Sequence, residues 1–337
     1  PTYEQQAKGN PDRLNQYINA SIGDAAILNP ILSADSASSE IEGKVFEGLL
    51  DRDEDLNFRG RLAQTWRVYE EAYFYINAAA AVPNRGRLNP PAIVELLRNF
   101  KQKENLSLPA LKQTLDNIKS ISLIPPRTYT VTQLNKISPD AKKTDEIQIG
   151  VSAPARVKLE LDEVDQDLFA NLKQLLGDSY FSSFNGQQFL TTHPSIDKER
   201  LSFYARELLP PTAHNPVILF NLRENVKFHD GHIFDAHDVK FTYEAIMDPR
   251  NLSPRIADYE PVKKVEVIDP LTVRIVYKRL YSPAIGTWGM GILPEHLLNS
   301  QALKKEALAL GKDLQNFSMR QSGFNRHPIG CGPFVFR

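Results

Sequence analysis

Three histidines and three aspartates crowd the ten residues HDGHIFDAHD (229–238). Imidazole and carboxylate groups are ligands that suit zinc or nickel. The histidine spacing, H-x2-H-x4-H across a turn and into a helix start, matches no strong ligand signature. The acids also have other work. Asp230-Gly231 is a turn dipeptide. Asp235 stands just ahead of a helical pattern, where its carboxylate accepts free N–H groups of the first turn. Asp238 adds negative charge where the helix dipole favours it. The stretch is therefore expected to be structural, with no metal bound.

A second group lies in TWGMGILPEHLL, where Gly286, Gly289 and Gly291 surround Trp288 and Met290. Glycines at this density mark a backbone that is flexible or closely approached. Trp288 reads either as a flat apolar ligand platform with one N–H donor or as core packing beneath the loop. A third group is Asp35-Ser36-Ala37-Ser38-Ser39 ahead of a helical run, with Asp35 or Ser36 as the N-cap. A helix start of this kind either offers N–H groups to a polar ligand or is a solvated cap. Cys331, the single cysteine, forms no intramolecular disulfide; it reads as a small packed residue rather than a reactive thiol. There is no G-x-S-x-G elbow, H-E-x-x-H pair or phosphate-binding G-x-x-x-x-G-K-[ST] loop. None of the 41 acidic residues forms a pair placed for acid–base work. The chain does not read as an enzyme, and no cofactor is expected.

These groups need elements to hold them. VILFNL (217–222) is a short apolar run typical of a buried strand. Val239, Tyr243, Ile246 and Met247 form one helical face after the Asp235 cap, and Asp248-Pro249 stops that helix. LNQYINASI (14–22) alternates as a first strand. Ile41, Val45 and Leu49 recur at helical spacing. KKVEVIDPLTVRIVYK (263–278) reads as a hairpin, residues 298–314 as a helix, and the turn-rich link at 326–334 leads into a final short strand. Between Trp66 and Val217 the pattern changes. Residues 72–78 read as a strand, Pro90-Pro91 opens a helix, and 108–118 is a second helix. Residues 121–134 and 146–164 are strands, each broken by proline, and 167–177 and 198–210 are helices. That order suits helices on one face of an antiparallel sheet.

Length and composition narrow the function classes. The 337 residues allow two domains. An apolar share of 42% and a charged share of 24% are ordinary for a globular chain. A net charge of −1 argues against a nucleic-acid-binding face. No apolar run approaches the ~18 residues of a membrane span. The opening PTYEQQAKGNPDR carries no signal peptide and reads as a processed or trimmed start.

The run LRENVKFHDGHIFDAHDVKFTYEAIMDP closely resembles the extracytoplasmic solute-binding proteins of ABC transporters, in the oligopeptide/dipeptide/nickel-binding family. Three more stretches agree in order: residues 28–66, 259–298 and 324–336. The resemblance covers a little over half the chain. It implies an α/β fold, a periplasmic-binding-protein-like (type II) lobe with a mixed β-sheet. Residues 1–67 and 215–337 would form the N-terminal lobe. Residues 68–214 would be an inserted α+β module, because the family bridges those points with a short hairpin. The implied activity is capture of peptides or similar small solutes outside the cytoplasm, in partnership with permease subunits. Periplasmic or extracytoplasmic location, with membrane contact only through an upstream lipid anchor or the permease, follows from the same resemblance. It brings Asp35, Ser36, Ser38, Trp288, Gly289 and Met290 to the cleft wall. The second lobe of the family is not found in this sequence. The alternative is an interaction or scaffold protein whose lobe has lost its ligand role.

Overall fold

Pro125-Pro126 and Pro154 cut two alternating runs into four strands, as proline must when it removes a ladder donor. The computed structural model describes residues 23–104, 106–135, 145–192, 196–313 and 317–337. The strand expected over 14–22 lies outside the described residues. In chain order the elements are α1 (Ser36–Val45), β1 (Leu50–Arg52), β2 (Phe58–Gly60), β3 (Ala63–Tyr75), α2 (Pro90–Lys101) and α3 (Pro109–Asn117). Strands β4 (Ile118–Ile124), β5 (Arg127–Asn135), β6 (Asp145–Ala153) and β7 (Arg156–Leu161) come next, then α4 (Leu168–Leu176), β8 (Leu190–Thr191), α5 (Lys198–Leu208) and β9 (Thr212–Leu222). The chain continues with α6 (Ala236–Met247), α7 (Ile256–Tyr259), β10 (Val262–Asp269), β11 (Thr272–Tyr277), α8 (Glu295–Leu298) and α9 (Ser300–Ala309). The α/β class expected from the sequence is what the chain adopts.

The chain divides into two compact units. One comprises Ala63–Leu222 and Glu260–Ile285. It holds a six-stranded sheet of order β10-β11-β9-β3-β7-β4 and a three-stranded sheet β5-β6-β8. Every pairing within them, among the described residues, is antiparallel. Strands β3 and β9 pair over most of their length, from Ala63↔Leu222 to Phe74↔Thr212. The boundaries expected at 67/68 and 214/215 fall inside these two strands. Pro216 is tolerated in β9 because β11 pairs only from Val217 onward. Successive strand residues face opposite ways, so Ala72, Phe74, Val157, Leu159 and Leu161 share one face. Ile93, Leu97, Leu111, Leu115, Leu172 and Leu176 from α2, α3 and α4 close over that face as one buried cluster. Helices on one face of an antiparallel sheet are thus what the alternation dictated. On the other face Glu71 bridges Lys158 and Arg274, each at 2.8 Å.

The other unit comprises the described residues up to Leu62, with Arg223–Tyr259 and Gly286–Arg337. Helix α6 organises it. The Asp235 and Asp238 side chains form a reciprocal capping box. Asp238 Oδ1 also accepts the Glu295 N–H at 2.8 Å, and Thr242 Oγ1 accepts the Leu293 N–H at 2.9 Å. The segment ahead of α8 is thereby fixed to the start of α6. Helix α1 ends at Val45, sooner than the spacing of Ile41, Val45 and Leu49 suggested. Its last-turn carbonyls are answered by a segment far along the chain, where Gly332 N–H donates to Val45 O at 2.8 Å and Phe334 N–H to Lys44 O at 3.1 Å. The final strand expected near Phe334 is replaced by this capping contact.

Candidate functional site

The chain near Gly48 runs beside the chain near Gly289. Leu49 N–H donates to Trp288 O at 2.8 Å and Ile292 N–H to Glu47 O at 2.9 Å. A Cβ added to Gly48 would lie 2.3 Å from Gly289 O, so only glycine permits this approach. One face of α1 (Ser39, Glu42, Gly43 and, just past its end, Phe46) stands against this double strand. Together they enclose a cavity of about 380 Å³, reached also by Asp51, Arg61, Arg255, Gly289 and Met290.

Charge in this cavity is mixed and unevenly satisfied. Asp51 receives Arg59 at 2.8 Å and Arg61 at 3.0 Å. The Arg59 hydrogen bond, followed by that of Arg61, pulls its carboxyl down to about 2. Glu42 is buried, and its Oε2 accepts the Ser33 hydroxyl at 2.8 Å. Desolvation raises the Glu42 pKa above the ordinary value in spite of that bond. Glu42 Oε1 and Arg255 Nε are both buried and find no hydrogen-bond partner in the protein. A larger cavity, about 600 Å³, lies along α6, α8 and α9. None of the described buried polar atoms that lack partners belongs to its lining, so it offers less to a polar ligand.

The residues expected at the wall are placed as follows. Gly289 and Met290 line the cavity. Trp288 is 1% exposed and meets Tyr259 edge-on at 5.3 Å, which puts its ring in the core behind that lining. Asp35 is the N-cap of α1. It accepts the Ser38 N–H and Ser38 hydroxyl, each at 2.7 Å, and these bonds hold its carboxyl below the usual range. Ser38 is fully buried and its oxygen also accepts the Ala26 N–H at 3.1 Å. Ser36 opens α1 as an exposed residue. The cap trio is thus committed to the helix start, and the cavity uses the next turns of the same helix. Glu42 and Arg255 were missed in sequence. A charged residue three before Val45 and four before Phe46, on the apolar stripe of α1, was the available signal.

In HDGHIFDAHD the polar groups are engaged internally. His229 Nε2 lies 2.8 Å from Gly332 O, Asp230 Oδ2 lies 2.7 Å from His296 Nε2, and the His232 and His296 rings stack at 3.8 Å. Burial pushes the Cys331 thiol up to about 12, which keeps it protonated and unreactive at neutral pH.

Residues 213–337 match the model of the bacterial extracellular solute-binding proteins, family 5, middle region. That segment, a little over a third of the chain, is similar to this family of solute-binding proteins. Among characterised relatives, it is 36% identical over 113 residues to the glutathione-binding protein GsiB of Salmonella paratyphi A, covering 34% of this chain and 19% of that one. It is 34% identical over 113 residues to GsiB of Escherichia coli O157:H7, with the same coverage. The chain therefore spans about a fifth of the length of the curated relatives it matches. Among solved structures, NikZ from Campylobacter jejuni in complex with Ni(L-His) aligns over 94% of this chain and 31% of its own, with a TM-score of 0.41 and 18% identity. The oligopeptide-binding protein AppA from Bacillus subtilis, in complex with a nonapeptide, aligns over 94% and 32%, with a TM-score of 0.40 and 16% identity.

Proposed function

We propose that this chain belongs to the substrate-capturing component of an ABC-type importer and takes up peptides or similar small solutes outside the cytoplasm. The observation that carries this reading is the family 5 match over residues 213–337. That segment contributes Arg255, Gly289 and Met290 to the cavity beside α1. The GsiB relatives are named for glutathione, itself a small peptide, and a cavity of about 380 Å³ is of a size to hold one or two residues of such a ligand. Gly289 and Met290 supply backbone and a polarisable side chain to the wall, with the Trp288 ring supporting them from behind. Permease subunits are the proposed partners, and the periplasm or cell exterior the proposed location. Among the described residues no helix is long and apolar enough to cross a membrane.

The test is mass spectrometry of small molecules retained by natively purified protein, followed by calorimetry with whatever is released. Recovery of a peptide-like solute in stoichiometric amount supports the proposal. Protein that carries nothing, and gives no heat with di- and tripeptide mixtures, counts against it.

A further inference from the structure

Buried polar atoms are almost always hydrogen-bonded, because an unpaired one has given up its bonds to water with nothing in return. Two such atoms belong to side chains that line the same cavity here. Glu42 is only 6% exposed, and one of its oxygens, Oε1, has no partner. Its other oxygen is occupied by the Ser33 hydroxyl, so the side chain is held in place rather than free to turn away. Arg255 Nε, a donor, is likewise without a partner. Its backbone is fixed, since Arg255 N–H donates to Ser253 Oγ at 3.2 Å and Ser253 Oγ donates to Ile31 O at 2.6 Å. An acceptor from α1 and a donor from the segment just before α7 thus sit on side chains that line one cavity; the Arg255 charge favours the Glu42 carboxylate, but no hydrogen bond joins the two atoms.

The two vacancies define what fits. A lone cation would complete Glu42 and leave Arg255 unsatisfied; a lone anion would do the reverse. A zwitterion would serve both, but it would carry two full charges into a site already desolvated enough to disfavour the Glu42 carboxylate. A neutral group with a donor and an acceptor on adjacent atoms satisfies both at the least desolvation cost. The amide is such a group. We propose that Glu42 and Arg255 together form an amide-recognition pair, with the ligand's N–H donating to Glu42 Oε1 and its C=O accepting from Arg255 Nε. The solute class is then one that presents a peptide bond or carboxamide to this cavity. The inference rests on the solute-binding reading given above and names the group that is recognised.

The pair is testable by NMR on the whole chain, following the Arg255 Nε–H proton and the Glu42 side-chain carboxyl carbon. The probes are acetamide, acetone, acetate and methylammonium, with trialanine as a fifth. Acetamide should move both signals along one saturation curve, half-saturating at about a ten-fold lower concentration than acetone, which lacks the N–H. Arg255→Lys, which removes Nε but keeps the charge, should abolish that advantage. Acetate moving Arg255 alone, or methylammonium moving Glu42 alone, with acetamide inert, would overturn the proposal in favour of a simple ion site. If all four small probes leave both signals still, the orphaned atoms hold water and the proposal fails. Trialanine separates the two levels. Shifts at Gly43, Gly289 and Met290 with none at Glu42 and Arg255 would sink the amide pair and leave the binding cavity standing. No shift at any lining residue would remove the cavity as well.

Discussion

A single buried aspartate shows how a residue chosen for local structure acquires a global role. Asp238 was legible in sequence as favourable negative charge in the first turn of α6. What the sequence did not show was its burial: it is 4% exposed and accepts N–H groups from both Asp235 and Glu295. Desolvation outweighs those bonds and raises its pKa to about 6. Between the ordinary value of 3.8 and about 6, the folded chain keeps a proton that the unfolded chain has lost. Stability therefore falls as pH rises through that window. The full effect is roughly 3 kcal/mol, at 1.4 kcal/mol per tenfold change in acidity. We expect the urea midpoint of the chain to fall between about pH 4 and about pH 6, and Asp238→Asn to flatten that fall. An unchanged slope in the variant would mean that another group is responsible. Trp288 makes the complementary case. Residue chemistry left it between cleft and core and the resemblance put it at the cleft wall; the ring is buried instead, because the packing partner that decides the matter, Tyr259, is remote in the chain. Trp288→Ala should cost about 3–5 kcal/mol in chemical denaturation, as large aromatic deletions in a core do. A loss below about 1 kcal/mol would return the ring to the surface.

Elements were more legible than their ends. The turn at Asp230-Gly231, the Asp235 cap and the Pro249 stop bracket α6 as expected. The prolines at 125, 126 and 154 separate β4 from β5 and β6 from β7. These signals are local, and the chemistry that terminates an element lies next to it. The short β1–β2 hairpin, paired only from Leu50↔Gly60 to Arg52↔Phe58, left no alternation long enough to notice. The early end of α1 was hidden for another reason: its carbonyls are capped by residues near Gly332, far along the chain. At this scale the proposed inserted module makes an argument. The two hydrophobic clusters built on α2 to α5 and their strands draw all their buried residues from between Ala72 and Leu209. Val68 pairs with Ile218 and Glu71 with Asn215, so the points where the module would leave and rejoin lie three residues apart in the β3–β9 ladder. Joining Val68 to Asn215 through a short glycine-containing turn should still give a soluble chain that melts cooperatively. Repeated failure across several turn sequences would show that the module and the strands that carry it fold as one. Gly48→Ala probes the opposite limit. Its methyl would meet the Gly289 backbone at 2.3 Å, and we expect a loss of at least about 1–3 kcal/mol in thermal or urea unfolding.

For the molecule as a whole, the account turns on one cavity in one unit, formed where α1 meets the Gly48 and Gly289 segments. The family resemblance was readable because strand, turn, cap and stop recur in order along a continuous stretch. The cavity was not, because Glu42 and Arg255 come together only in the fold. Gly43 gives direct access to it. This residue lines the cavity, sits on α1, and a Cβ built there meets nothing within 4 Å. Gly43→Ala should therefore stabilise α1 by up to about 1 kcal/mol, whereas Gly43→Trp should fill the cavity while leaving the backbone undisturbed. The decisive measurement is calorimetric titration of trialanine, or of the solute recovered from native protein, into the wild-type chain, Gly43→Ala and Gly43→Trp, with unfolding midpoints recorded for all three. The account predicts saturable binding to the first two and none to the third, at midpoints no lower than wild type. Equal binding to the well-folded Gly43→Trp chain would contradict it, because the solute would then be held somewhere other than this cavity.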